Sequence, residues 1–390
     1  MMPLRVYGER LHVGWLRHRR MYFAIVAGAV AALLSRTLPS SWIERVYSTG
    51  IGRGLAGLLS WFSSRAPFSI AQVAAVVLAV GLLVYARKTW RVKQSSAHWV
   101  RGSLLGIVAL ASAGYALFVA CWGLNYHRMP ISNALRLPVQ ESTPDEVRHL
   151  ARAFVAEMEA ARRLAPSRDG VAALKGQEED ELKESSLRRK RQAMTRSTEV
   201  FRKASKKYPF VAGVVVRPKP IIGSQVASLA GIGGIYIPFT GEAHVNVDVP
   251  EFALPFNTCH EISHQRGVAR EDEANFVGFV VARDFGPPDF QYSAYFGVVG
   301  HVIGALKAID PELAHYVWER RTAALKVDSL AYAEWRAERE SRLRGVTDVV
   351  NSAYLKSNGI ADGAQSYGRV VDLLLAEQRA GRKQALPADP

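Results

Sequence analysis

Two long runs without a charged residue constrain this chain more than any other feature. They are residues 66–86, between Arg65 and Arg87, and residues 102–126, between Arg101 and His127. Each is rich in Ala, Val, Leu and Gly, and each is long enough to cross a hydrocarbon core as an α-helix, which needs roughly 20 residues. Trp90, Trp99 and Trp122 stand near their ends, where aromatic rings collect at a membrane–water boundary. A third apolar stretch, Tyr22 to Ser35, follows Arg17, Arg19 and Arg20 and continues through Leu38 toward Trp42. The reading is a membrane anchor over residues 1–126 with about three transmembrane helices, at about 21–42, 67–86 and 102–125. A cleaved signal peptide is the competing reading for the first stretch. Two further spans and the lack of a clean small-x-small cleavage site favour the uncleaved helix.

Charge follows the same division. Through Tyr126 there are 14 Lys and Arg but only two acids, Glu9 and Glu44, whereas the remainder carries 36 basic and 33 acidic residues. The net charge of +15 therefore belongs mostly to the anchor. Because the basic residues flank apolar spans, a lipid bilayer is the expected partner and nucleic acid is not. Arg87, Lys88, Arg91, Lys93 and Arg101 crowd the connection between the second and third spans without an acid, which marks it as cytoplasmic. The arginine-rich N-terminus is then also cytoplasmic, and residues 43–66 and everything after Asn125 lie outside. Only two cysteines are present, Cys121 and Cys259, too few for a disulfide framework that would report on compartment.

Residues 127–390 are expected to form one extracytoplasmic domain, mainly α with a small β-sheet. Thr143-Pro144-Asp145-Glu146 has the order of a helix start: an N-cap, a proline at the first helical position and acids in the first turn. That helix is expected to reach about Arg163. Residues of about 165–206 hold the acidic run 178–181 and the basic run 188–191, and read as a solvated helical or mobile insert. Phe210–Val216, Gly234–Pro238 and His244–Val249 are β-branched or aromatic runs divided by Gly and Pro, and suggest strands. After about Phe290 helices return, at Pro311–Leu325, Ser329–Leu343 and Arg369–Ala380.

The chemistry concentrates in His260-Glu261-Ile262-Ser263-His264. On a helix, histidines four apart share a face and can reach one metal ion, while the intervening glutamate points to the neighbouring side, where a water would sit. Gly267 offers a sharp exit, and Arg270-Glu271-Asp272-Glu273-Ala274-Asn275-Phe276 opens a second helix. A zinc site needs a third protein ligand and an open position. Glu271 is favoured because it shares a face with Asn275, which could then hydrogen-bond a ligand histidine from behind. Glu273 is the alternative, and Asp272 reads as a solvated first-turn acid. Oxyanion or substrate contacts are sought among Tyr236, Tyr292, Tyr295 and His301, each of which also reads as packing.

The E-x-x-A-N pattern after H-E-x-x-H resembles the gluzincin metallopeptidases, in which a glutamate from a second helix is the third zinc ligand. Over residues 120–380 the chain is similar to a membrane-anchored bacterial family known as domain of unknown function 3810. That likeness rests on Trp122–Tyr126, on Gly234–Glu242, on the 260–276 region, and on Tyr354-Leu-Lys with Ser366-Tyr367-Gly368. The step from His264 to Glu271 is shorter than in thermolysin-type enzymes. The resemblance implies a zincin-like fold, a Zn2+ cofactor, a peptide or protein substrate and a place on the outer face of a bacterial inner membrane. The expected function is metallopeptidase action with Glu261 as general base. The rivals are an inactive zinc-binding receptor or scaffold, and a zinc amidase acting on a non-protein amide such as cell wall.

Overall fold

A computed structural model describes residues 4–91, 96–165, 179–360 and 369–385. Mostly helical, it has one small sheet. Helix α1 (Leu4–Thr37) packs along α4 (Ser96–Cys121), and α2 (Gly52–Ser63) and α3 (Ile70–Arg91) lie between them in the chain. Pro39 follows the end of α1, so the first apolar helix stops at Thr37 rather than near residue 42. Between α1 and α2, residues Ile43–Ile51 form a wide helical turn broken at Gly50.

Four helices are long and apolar enough to cross a membrane: Arg19–Thr37, Ile70–Lys88, Gly102–Cys121 and Pro288–Ile309. Packing separates the last from the others. The first three windows are at most 11% buried, whereas the fourth is 39% buried, with Phe290, Val298, Val302 and Leu306 inaccessible in the domain core. Bare apolar flanks on α1, α3 and α4 fit a lipid surround.

The domain is built on three consecutive helices, α8 (Leu254–Gln265), α9 (Glu271–Phe285) and α10 (Pro288–Ile309). Around them pack α5 (Pro144–Leu164), α6 (Glu179–Lys207) and α14 (Val370–Ala385). Phe201, Phe276, Phe279, Phe290 and Met158 fill the centre. Helix α5 starts as its sequence requires: the Thr143 hydroxyl accepts from the Glu146 amide, and the Glu146 carboxylate accepts from the Thr143 amide. Arg379 of α14 grips the same carboxylate through two bonds of 2.7 and 2.8 Å.

The charged insert is helical over its described part, and only its solvated reading changes. Residues 166–178 lie outside the described residues, but 179–207 are the long helix α6, and it is not merely a solvated appendage. Ala193, Met194, Ser197, Val200, Phe201 and Ala204 form a buried stripe at helical spacing against α8 and α9, while the charges occupy the other face. After α10, the expected helix 311–325 is split into α11 (Pro311–Glu319) and α12 (Ala323–Glu338), followed by α13 (Arg342–Ser357).

The sheet has the order β1-β3-β2, with β1 (Lys219–Pro220) parallel and β2 (Gly234–Ile237) antiparallel to β3 (Glu242–Val245). Helix α7 (Ser224–Leu229) joins β1 to β2. Residues 210–216 are not a strand; they form a short turn at Pro209–Val211 and irregular chain, and the strand pairing starts at Lys219. All four residues of β3 are buried, including Glu242 and His244. These two face the anchor. Glu242 accepts from the amides of Ile70 and Ala71 at 3.0 and 2.7 Å and from Lys219 Nζ at 2.7 Å, while His244 Nε2 lies 2.7 Å from Ser69 Oγ. A carboxylate from the sheet thus caps the first turn of α3, where helix N-termini favour negative charge.

Arg379, followed by the Thr143 amide, holds the Glu146 carboxyl down at about 2. A carboxyl depressed in the folded state stabilises above its unfolded pKa of about 4.3 and loses that contribution as pH falls toward 2. Glu146→Gln is expected to cost about 1 kcal/mol at pH 7. In melts of the detergent-solubilised chain that deficit should stay constant above pH 5 and shrink steadily below it. A deficit independent of pH would contradict this role.

Candidate metal centre

Helix α8 begins at Leu254-Pro255, where proline suits the first turn, and carries His260 and His264 on one face. It ends at Gly267, whose φ of +80° is the left-handed conformation that glycine adopts without penalty. Gly267 N and Val268 N return to the carbonyls of His264 and Ser263. This tight exit lets α9 start at Glu271 and fold back over α8. The two helices approach closely because Gly278 has no side chain: a Cβ there would lie 3.1 Å from His260 N.

The result is convergence of three donor atoms. His260 Nε2 and His264 Nε2 are 3.0 Å apart, and Glu271 Oε2 lies 3.2 Å from the first and 3.4 Å from the second. Among the described residues this is the one group of three His, Cys, Asp or Glu side chains that gathers so closely. Glu273 does not join it. Its Oε1 accepts from Ile131 N at 2.8 Å, on the opposite side of α9, and burial pushes its carboxyl up to about 7. Asp272 is buried rather than solvated and faces Arg270 and Arg369.

The carbonyl of Val268, 2.7 Å from His264 Nδ1, orients that ring; a proton on Nδ1 leaves the Nε2 lone pair facing the other two donors. Asn275, expected behind the histidines, is buried on α9 but makes no hydrogen bond to either. A contact from the anchor completes the support. Trp122 Nε1 donates to the His264 carbonyl at 3.2 Å, and its ring stands edge-on to the imidazole with centroids 6.1 Å apart. Arg128 donates to the Gly267 carbonyl and pairs with Glu44 through two bonds of 2.7 and 2.9 Å.

Electrostatics divides the carboxylates. Burial works to raise Glu271, but attraction to His264 and hydrogen bonds from both histidines hold it well below the usual carboxylate range. His264 is pushed the other way, up to about 9, because Glu271 outweighs its burial. By themselves these opposed shifts describe a buried His264–Glu271 ion pair; with both imidazoles neutral, the carboxylate leaves one negative charge among three donor atoms, which a cation would balance. Glu261 differs: burial raises its carboxyl to about 6 against the pull of His260 and His264, and its Oε2 is buried without a hydrogen-bond partner. The strand β2 lies directly on it, since a Cβ at Gly234 would fall 2.4 Å from Glu261 Oε1 and 2.5 Å from Cγ.

The other tyrosine and histidine candidates lie elsewhere. Tyr292 donates to Asp328 at 2.7 Å within a buried network that includes Arg162. Tyr295 packs between Phe154 and Phe279 in the core. Tyr236 packs against Trp122 with the rings tilted and centroids 5.7 Å apart; its hydroxyl is buried, and burial pushes it above its ordinary value. His301 makes no ring contact or hydrogen bond with the trio, and burial lowers its pKa. The residue that was overlooked is Tyr354 on α13. It accepts a hydrogen bond from the Tyr126 hydroxyl at 3.2 Å, which leaves its own proton available, and it is partly exposed. Burial raises the Tyr354 hydroxyl to about 12, against the Tyr126 bond and with a further push from the charge of Glu271. The Tyr354-Leu-Lys motif was the only signal for it in the sequence, and Ser366-Tyr367-Gly368 lie outside the described residues.

Gly234→Ala should destabilise the chain by about 1–3 kcal/mol, because the added methyl group overlaps the Glu261 side chain in a closed space. A melting temperature equal to wild type would show that Glu261 is free to move aside.

No curated protein and no solved structure matches the sequence. Residues 47–375 match a family described as protein of unknown function (DUF3810), a span that includes α2, α3, α4 and nearly the whole domain. The chain belongs to that family.

Proposed function

We propose that this chain is a membrane-anchored, zinc-dependent metallopeptidase with a zincin-like domain outside the cytoplasm. The observation that carries the reading is the convergence of His260, His264 and Glu271 beside a buried Glu261 carboxylate with an unpartnered oxygen. The donor set fits zinc. Bonds of about 2.0–2.1 Å in a tetrahedron place neighbouring ligand atoms about 3.3 Å apart, and the three atoms here are separated by 3.0 to 3.4 Å. Two imidazoles and one carboxylate leave a fourth position open, the arrangement of a catalytic rather than a structural site.

A bound zinc ion supplies Lewis acidity toward a water and a peptide carbonyl. Glu261 takes the proton from the attacking water and delivers it to the leaving amine; its raised pKa keeps it close to the point where both transfers are easy. Among the described residues β2 is an edge strand, paired with β3 alone, and its Gly234 lies on Glu261. An extended peptide added to that edge would pass over the base. Tyr354 offers its free hydroxyl proton to the carbonyl oxygen as charge develops there. The basic connection between α3 and α4, together with the arginine-rich N-terminus, supports a cytoplasmic N-terminus and an extracytoplasmic domain in a bacterial inner membrane.

Metal analysis and a peptide-library assay on five forms test this reading. Wild type, Glu261→Gln and Glu273→Gln should each carry one zinc per chain, and Glu271→Gln should lose it. Glu261→Gln should lose at least about 100-fold in turnover. Equal turnover in wild type and Glu261→Gln, or zinc retained in Glu271→Gln and lost in Glu273→Gln, would refute the assignment. The fifth form, Tyr354→Phe, should keep its zinc and fall on the order of 100-fold in kcat; unchanged kcat would remove Tyr354 from the mechanism.

A further inference from the structure

Helix α2 divides its surface by chemistry. Gly52, Gly57, Ser60 and Ser63 are buried, and the Ser60 hydroxyl donates to the Gly241 carbonyl at 2.7 Å. Gly57 lies against Val214, where a Cβ would come within 3.2 Å of its methyl group. On the opposite face Leu58 is 62%, Trp61 48% and Phe62 67% exposed, and Ile51 and Phe68 extend the bare strip at either end. At about 100° per residue, Leu58 and Phe62 are about 40° apart and Ser60 is about 160° from both. Three large apolar side chains on one face of a twelve-residue helix, with two more bare beyond its ends, are more than a water-facing helix ordinarily leaves exposed.

The surroundings indicate what covers them. Upstream of this segment α1 ends at Thr37 and downstream α3 begins at Ile70, both helices of membrane length and composition. The Arg65 guanidinium lies 4.3 Å over the Trp61 ring, an aromatic–cation pair suited to the headgroup layer. We infer that α2 is an in-plane interfacial helix whose Leu58, Trp61 and Phe62 face is immersed in the lipid headgroup region, and that it seats the candidate metal centre on the bilayer surface.

The second half of this inference follows from a shared carbonyl. Gly241 O accepts from Ser60 of α2 and, at 3.0 Å, from Gln265 Nε2 of α8, the residue after His264. The end of α4 reaches the same turn through Trp122 and the His264 carbonyl. Two elements of the anchor therefore meet at the end of the helix that carries both histidines. A site so placed meets polypeptide lying along the membrane, so on the peptidase reading its substrate class is the membrane-adjacent segment of an anchored protein.

The test uses the full chain reconstituted into phosphatidylcholine–phosphatidylglycerol vesicles, with a polarity-sensitive fluorophore on Leu58→Cys, Phe62→Cys or the exposed control Glu141→Cys. Both native cysteines are buried. Labels at 58 and 62 should be quenched by a shallow lipid-borne nitroxide and resist aqueous iodide, and the label at 141 should behave oppositely. Iodide quenching at 58 and 62 equal to that at 141 would overturn the inference. So would shielding from both quenchers together with cross-linked dimers, which would make the face a contact between copies. For the substrate class, Leu58→Asp/Phe62→Asp should slow cleavage of an acyl-tethered peptide about tenfold while sparing the same peptide free in solution. Equal slowing of both would overturn that class. Lipid quenching with no cleavage of either peptide by wild type would leave the seat standing and remove the peptidase reading on which the substrate class rests.

Discussion

The turn that ends α8 is where the anchor and the candidate site depend on each other. His264 offers its imidazole to the trio and its carbonyl to Trp122, and Val268, four residues on, fixes the ring through Nδ1. Gly267 makes this possible by taking a positive φ, and its carbonyl is held by Arg128, which is itself paired with Glu44. Arg128 and Glu44 are both largely buried, so neither is easily replaced: loss of one partner leaves an uncompensated charge in a low-dielectric setting. The position of one donor atom is thus set by residues from three separate stretches of chain, two of them in or beside the anchor.

A similar logic governs the sheet. Three short strands would be marginal alone, yet β3 is fully buried and its polar residues are consumed by the anchor. Glu242 caps α3 and binds Lys219, and Lys219 also donates to the carbonyls of Ser63 and Phe68. This fixes β1, β3 and the start of α3 as one unit, and β2 is carried on it with Gly234 against Glu261. The sheet serves as a spacer between a helix long and apolar enough to cross a membrane and the helix that carries His260 and His264.

Much of this was legible in the sequence because the signals were local. Uncharged runs mark α3 and α4; Thr143-Pro144-Asp145-Glu146 marks the start of α5; and the four-residue spacing of His260 and His264, with a glycine exit, marks α8. Helical angle alone puts Glu271 beside the histidines and Glu273 on the other side of α9. What stayed hidden depends on distant partners. Helix α6 reads as solvated because its buried stripe is thin, and only the groove between α8 and α9 shows that Met194 and Phe201 belong to the core. Nothing local in the sequence ties Glu242 and His244 to the start of α3, whose Ser69, Ile70 and Ala71 they meet. Asn275 shares a helix face with Glu271, but a face does not specify a hydrogen bond, and a backbone carbonyl already orients His264.

Three glutamates on two adjacent helices show how the fold assigns chemistry through environment rather than residue type. All three are buried, and burial alone would raise the pKa of each. Glu271 escapes that fate because two imidazoles face it, and it remains an anion suited to holding a cation. Burial of Glu273 outweighs the pull of Arg270 and the Ile131 amide, so it stays raised, and it ties the chain at Ile131. Glu261 is intermediate: the histidines draw its proton off, while Glu271 and the absence of a partner for Oε2 push it back. A group poised in this way can accept and release a proton with small change in free energy; Glu271, held as an anion, cannot, and Glu273 is turned away from the histidines onto Ile131. Which way each side chain leaves its helix therefore decides that Glu271 meets the two histidines while Glu273 turns to Ile131, and the exit turn at Gly267 sets that angle for both.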